Sequence, residues 1–264
     1  MVNRWKIQIP ELTGEEERNL YIYLPDSYDW DKERYYPVLY MFDGHNVFFD
    51  SDATYGKCWG MKEYMDYTNT QMIIVAVECN HSPDNGRLKE YAPFSFHDAR
   101  CGSITAKGTI TMDWMVHTLK PKIDRDFRTI SDRKHTFIAG SSMGGLMSLY
   151  AVTQYNAVFG RAAALSPSVW TSADKLEQLI RRTKIRQNTV IYMDYGSVEH
   201  IEESGTGNEI LEGRNILLAE DNDLNAEIAE AILERAGLRI ERVENGIQCV
   251  NRILKMPAGT YDMI

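Results

Sequence analysis

Gly140-Ser141-Ser142-Met143-Gly144 is the stretch of this chain best equipped for covalent chemistry. A serine hydroxyl is a weak nucleophile until geometry and a neighbouring base activate it. Here an apolar, β-prone run, Thr136 to Ala139, feeds the pentapeptide, and a helix-like segment, Leu146 to Tyr155, follows. A strand, a sharp turn and a helix in that order expose the middle serine at the carboxyl end of a sheet. Glycines 140 and 144 remove Cβ atoms where strand and helix approach, so the backbone at Ser142 can take a strained conformation. The helix start surrounds the hydroxyl with the positive end of the macrodipole. It also places the backbone N–H of Met143 to donate to a developing oxyanion. Such a unit suits acyl transfer through Ser142.

The serine needs a sheet to stand on, and the flanking segments supply one. Trp5 to Pro10 and Asn19 to Leu24 alternate apolar and polar residues and read as an opening antiparallel hairpin. Tyr36 to Phe42 and Met72 to Glu78 are continuous apolar strands. Gly60 to Tyr67 and Thr111 to Ile123 carry helical spacing, while Arg161 to Leu165 and Thr189 to Tyr195 read as further strands. Strands alternating with helices predict an α/β fold, its mainly parallel sheet covered by helices on both faces.

Composition narrows the function. The chain has 264 residues and a net charge of −9, which argues against nucleic acid and anionic membrane surfaces and favours a small-molecule substrate. Cys58, Cys79, Cys101 and Cys249 form no C-x-x-C pair and show no metal-ligand spacing. Free thiols, a cytoplasmic location, and no metal or cofactor are therefore expected. Neither a signal peptide nor a transmembrane run is evident. The oligomeric state is left open.

Four words occur in order: Pro37 to Gly44 (P-V-L-Y-M-F-D-G), Arg87 to Pro93 (R-L-K-E-Y-A-P), Gly140 to Gly145 (G-S-S-M-G-G) and Ala164 to Pro167 (A-L-S-P). Over about residues 1 to 200 the chain resembles the esterase-D-like esterases of the α/β-hydrolase superfamily, relatives of feruloyl and acetyl-xylan esterases. The resemblance implies hydrolysis of small or arylated carboxylic esters through an acyl-enzyme on Ser142. The fold implies a second oxyanion donor in the loop after an early strand, here the backbone N–H of His45. By similarity Glu199 is the triad carboxylate, with Asp194 its rival. Arg87, Glu90 and Tyr91 match an R-x-x-E-Y motif at the pocket rim, where an ion pair and hydrogen bonds would fix the loop. Trp170, with Trp59, Phe94 and Phe96, would line an acyl or aryl pocket.

The base departs from the family pattern. The family histidine lies near the carboxyl end, but the six here are His45, His81, His97, His117, His135 and His200. His200 follows Glu199 in the loop above the sheet and is the candidate base, with His81 and His97 open as alternatives. Activity is expected to be weak. An inert scaffold, or a regulatory or binding module, is the alternative function.

From about Arg214 a second resemblance begins. Ile216 to Asn225 (I-L-L-A-E-D-N-D-L-N), then Ala236-Gly237 and Val243 to Gly246, resembles the first half of a response-regulator receiver domain. It stops before the phosphoacceptor aspartate would occur, so receiver phosphorylation is not expected. The expected organisation is an esterase domain, 1–204, lacking its usual final segment, a junction, 205–213, and a β-α-β-α receiver-like segment, 214–264. That makes the chain a fusion, its last segment expected to dock on the esterase sheet.

Overall fold

The computed structural model describes residues 1–194, 213–219, 226, 230, 233–234, 237–244, 246–257 and 260–261. The chain divides into two compact units, Met1–Val190 and Ile191–Ile264.

The first unit is built on strands β1 (Val2–Gln8), β2 (Glu17–Tyr23), β3 (Val38–Met41) and β4 (Ile73–Val77), the small hairpin β5 (Phe96–Asp98) and β6 (Gly102–Ile104), then β7 (Thr136–Ser141) and β8 (Arg161–Leu165). Within this unit the main sheet runs β1-β2-β4-β3-β7-β8. β1 and β2 pair antiparallel, and β2 pairs antiparallel with β4. The pairs β4–β3, β3–β7 and β7–β8 are parallel. Val190, first residue of β9 (Val190–Asp194), donates its N–H to the Gly160 carbonyl just before β8. Continuous apolar runs mark strands covered on both faces, and Ile73, Ile74, Val75 and Ala76 have no exposed surface.

The opening hairpin starts at Val2 rather than Trp5, with Val2 opposite Tyr23. Helices occupy Met61–Tyr67 and Met143–Gln154, close to the predicted spans. The predicted helix over 111–123 is longer and interrupted. Helices Gly108–Trp114 and Lys120–Asp126 flank a π-turn, Met115–Leu119. Pro121 lacks an N–H and its ring crowds the carbonyl four residues back, which favours a wider turn there. The amphipathic helix Ala173–Arg182 and the β5–β6 hairpin are additions to the sequence reading.

The second unit contains β10 (Asn215–Ala219) and β11 (Arg239–Val243), paired parallel with Asn215 opposite Arg239. Residues 226, 230, 233 and 234 between them are helical, and a helix follows over Gly246–Lys255. Gly237 ends the first helix at φ 84°, where a Cβ would be strained. Its N–H donates to Glu234 and that of Leu238 to Leu233, the paired bonds of a glycine-terminated helix. Among the described residues no helix is long and apolar enough to cross a membrane.

Candidate active site

β7 delivers Ser142 to a sharp turn at φ 58°, ψ −119°, and the helix Met143–Gln154 begins at the next residue. A non-glycine residue there is strained and persists only where its surroundings hold it. Three glycines make the close approach possible. A Cβ on Gly140 would lie 2.6 Å from the Gly144 carbonyl carbon, and one on Gly145 would lie 2.8 Å from the Leu165 carbonyl oxygen. Hydrogen bonds to the exit of β8 complete the hold. Ser142 N–H donates to the Leu165 carbonyl at 2.9 Å, and the Ser142 carbonyl accepts from Ser168 N–H at 3.0 Å. The Ser142 hydroxyl lies 3.0 Å from Ser168 Oγ. Met143 opens the helix, so its N–H has no acceptor within that helix.

The neighbouring loop follows β3. Asp43 takes a left-handed conformation, φ 55°, and Gly44–Asn46 form one tight helical turn. A Cβ on Gly44 would lie 2.5 Å from the Ala76 carbonyl oxygen of β4. Arg87 clamps the loop with a two-pronged ion pair, Nε to Asp43 Oδ1 and Nη2 to Asp43 Oδ2, both 2.7 Å. Its Nη2 also reaches the Ser141 carbonyl at 3.4 Å. Burial alone would favour the neutral guanidine, but the Asp43 carboxylate outweighs it and raises the Arg87 pKa. Tyr91 accepts the Asp43 N–H at 3.1 Å.

A cavity of about 610 Å³ opens beside the elbow, lined by Asp43, His45, Tyr55, Trp59, His81 and Ser142 among others. Its electrostatics centre on two imidazoles, edge to face at 4.7 Å. Burial lowers the pKa of His45, whose Nε2 lies 3.0 Å from Thr54 Oγ1. A hydrogen bond with Glu78, Nε2 to Oε1 3.3 Å, raises that of His81. Burial pushes the Cys79 thiol up, so it stays protonated at neutral pH. Its neighbours His45 and His81 make a three-residue cluster with it. The cysteines by themselves show no metal-ligand spacing in the sequence.

The other proposed site residues are dispersed. Glu90 does not line the cavity; it is buried in an ion pair with Arg18 at 2.7 Å. Arg87 and Glu90, three apart in sequence, thus hold different partners rather than each other. Tyr91 is buried behind the Asp43 loop. Trp170 is 55% exposed, stacked edge-on against Phe96 with the Arg100 guanidinium over its ring, and does not line the cavity. His97 contacts Ser103 and His117 the Asp113 carbonyl, both exposed, and half-buried His135 contacts the Asp132 carboxylate. Asp194 accepts a hydrogen bond from Tyr192 at 3.1 Å. Glu199 and His200 lie outside the described residues. Ser168 directly follows the A-L-S-P word, and nothing in that word points to a contact with the nucleophile.

A strained serine between a parallel strand and a helix, on a sheet of this order, defines an α/β-hydrolase-type fold. The chain belongs to the esterase family described as "Putative esterase", whose profile matches residues 12–215. The uncharacterized protein YbbA of Bacillus subtilis is 24% identical over 198 residues, 74% of either chain. Among solved structures, an IroE-like serine hydrolase from Shewanella oneidensis matches with a TM-score of 0.57 at 18% identity, covering 96% of this chain and 76% of its own. The siderophore hydrolase EstA from Aspergillus nidulans matches at 0.56 and 13% identity, covering 91% and 86%.

Proposed function

We propose that the chain is a serine carboxylesterase acting on small or arylated carboxylic esters. The observation that carries this reading is the strained backbone of Ser142 at the mouth of a cavity flanked by aromatic side chains. The Ser142 hydroxyl attacks the ester carbonyl, and the backbone N–H groups of Met143 and His45 receive the negative oxygen. Collapse expels the alcohol and leaves an acyl-serine, which water hydrolyses. Tyr55 and Trp59 on the cavity wall favour a flat or apolar group on the ester. His200 is the proposed base, with Glu199 or Asp194 as the carboxylate that steadies the site. With the family histidine absent beyond residue 200, turnover is weak. An elbow serine with oxyanion donors alone still gives about 10³-fold over water.

The test is hydrolysis of a chromogenic short-chain aryl ester. Ser142→Ala abolishes turnover, and Ser141→Ala keeps most of it. Equal rates in Ser142→Ala and the parent would overturn the assignment.

One observation favours the second reading, an inert esterase scaffold: among the described residues the Ser142 hydroxyl meets Ser168 Oγ at 3.0 Å and no imidazole. A parent protein no faster than buffer, and unlabelled by a phosphonate ester, would establish it. Residues 214–264 are proposed as a receiver-like segment, supported by the parallel β10–β11 pair and the flanking helical residues.

A further inference from the structure

The cavity carries a second constellation, of side chains that the proposed ester hydrolysis through Ser142 and His200 does not use. His45 follows β3, and Cys79 and His81 follow β4, its parallel neighbour, so the ends of two adjacent strands bring them together. One ligand atom from each of the three residues lies within 4.8 Å of the others. Each ring is already held at one nitrogen, His45 Nε2 by Thr54 and His81 Nε2 by Glu78. Among the described residues neither ring has a hydrogen bond at Nδ1. In His45, a residue only 4% exposed, Nδ1 is buried and has no hydrogen-bond partner among the described residues. A polar atom buried without a partner is costly and uncommon.

A metal ion would use that lone pair. We propose that His45 Nδ1, Cys79 Sγ and the remaining ring nitrogen of His81 bind Zn²⁺, with a fourth position open to the cavity. One thiolate with two imidazoles suits zinc and does not suit magnesium or calcium, which take oxygen ligands. Thr54 and Glu78 fix the two rings in the manner that hydrogen-bonded partners fix zinc-binding histidines. Zinc bonds of about 2.0–2.3 Å put tetrahedral ligand atoms about 3.5 Å apart. Rotation of the Cys79 side chain, with a tilt of the His81 ring that keeps its bond to Glu78, supplies the closing movement. Binding forms one Zn–S and two Zn–N bonds and releases the thiol proton to solvent, with no change of oxidation state. The site does not rest on the esterase reading and would hold if Ser142 proved inert.

The full-length protein, stripped with chelator and kept reduced, is titrated with Zn²⁺ by calorimetry and with Co²⁺ by absorption. One equivalent of either ion is expected to bind. Co²⁺ should show tetrahedral visible bands and a sulfur-to-cobalt charge-transfer band, both displaced by Zn²⁺. Cys79→Ser should remove the charge-transfer band. His81→Gln alters an exposed side chain, so its thermal melt should match the parent while Zn²⁺ affinity falls by about tenfold or more. Absence of saturable uptake, a charge-transfer band that survives Cys79→Ser, or unchanged affinity in folded His81→Gln would each overturn the proposal.

Discussion

Arg87 and Asp43 meet through two parallel hydrogen bonds of 2.7 Å, joining the loop after β3 to the carbonyl that precedes the nucleophile. Asp43 is nearly fully buried, so Arg87 replaces the water its carboxylate would otherwise bind. Arg87→Met should destabilise the protein by about 3 kcal/mol, because removing one member of such a pair strands the other. Arg87→Lys keeps the charge but loses the fork, and should fall between. Urea unfolding of the three proteins tests the ordering. Equal midpoints would show that Asp43 is satisfied without Arg87.

Glu90 separates a structural role from a substrate-binding one. Its carboxylate and the Arg18 guanidinium are both almost wholly buried. Glu90→Ala should cost about 3–5 kcal/mol, while an apolar replacement of both partners should cost far less. Whatever ester turnover the parent shows should keep its KM in a folded Glu90→Gln protein. A raised KM with unchanged stability would return Glu90 to the pocket.

Acid should loosen one wall of the cavity. Asp50 accepts the Cys58 N–H at 2.8 Å and the Lys57 ammonium at 3.1 Å, bracketing the loop that carries Tyr55. The Cys58 hydrogen bonds come first among the causes that lower its pKa to about 2. The folded value lies below the unfolded one, so the contribution is present above about pH 4 and is lost as pH falls through about 2. Hydrogen exchange at the Cys58 amide should therefore quicken between those values beyond its intrinsic pH dependence. Asp50→Asn should flatten the response. An identical profile in that variant would place the acid sensitivity elsewhere.

The base can be settled by histidine replacement. His200→Ala should lower the weak hydrolysis further, and His97→Ala should leave it unchanged. If His81→Ala abolishes turnover while His200→Ala has no effect, the base lies at the cavity rim instead.

Local chemistry was the legible part. The elbow is written in consecutive residues whose backbone demands are visible one by one, as is the glycine stop at Gly237. β3 and β4 were legible because burial on both faces requires unbroken apolar runs. What escaped were contacts between distant segments. Arg87 and Glu90 look like partners at helical spacing, yet Asp43 and Arg18 claim them from loops and strands far away in sequence. His45, Cys79 and His81 converge only because β3 and β4 lie side by side. A search for spacing within one segment cannot find a cluster split between two strand ends.

The two backbone bonds from Ser142 to Leu165 and Ser168 make the exit of β8, as much as β7 itself, the ruler that positions the hydroxyl. A residue inserted between Leu165 and Ser168 would put that ruler out of register and displace the nucleophile. The Asp50–Cys58 loop borders the same cavity but has no such bond to the elbow. Its aromatic side chains can change while the serine stays in place, provided Thr54 keeps its bonds to His45 and Asn46. The architecture thus leaves change in the cavity lining to one loop and withholds it from another.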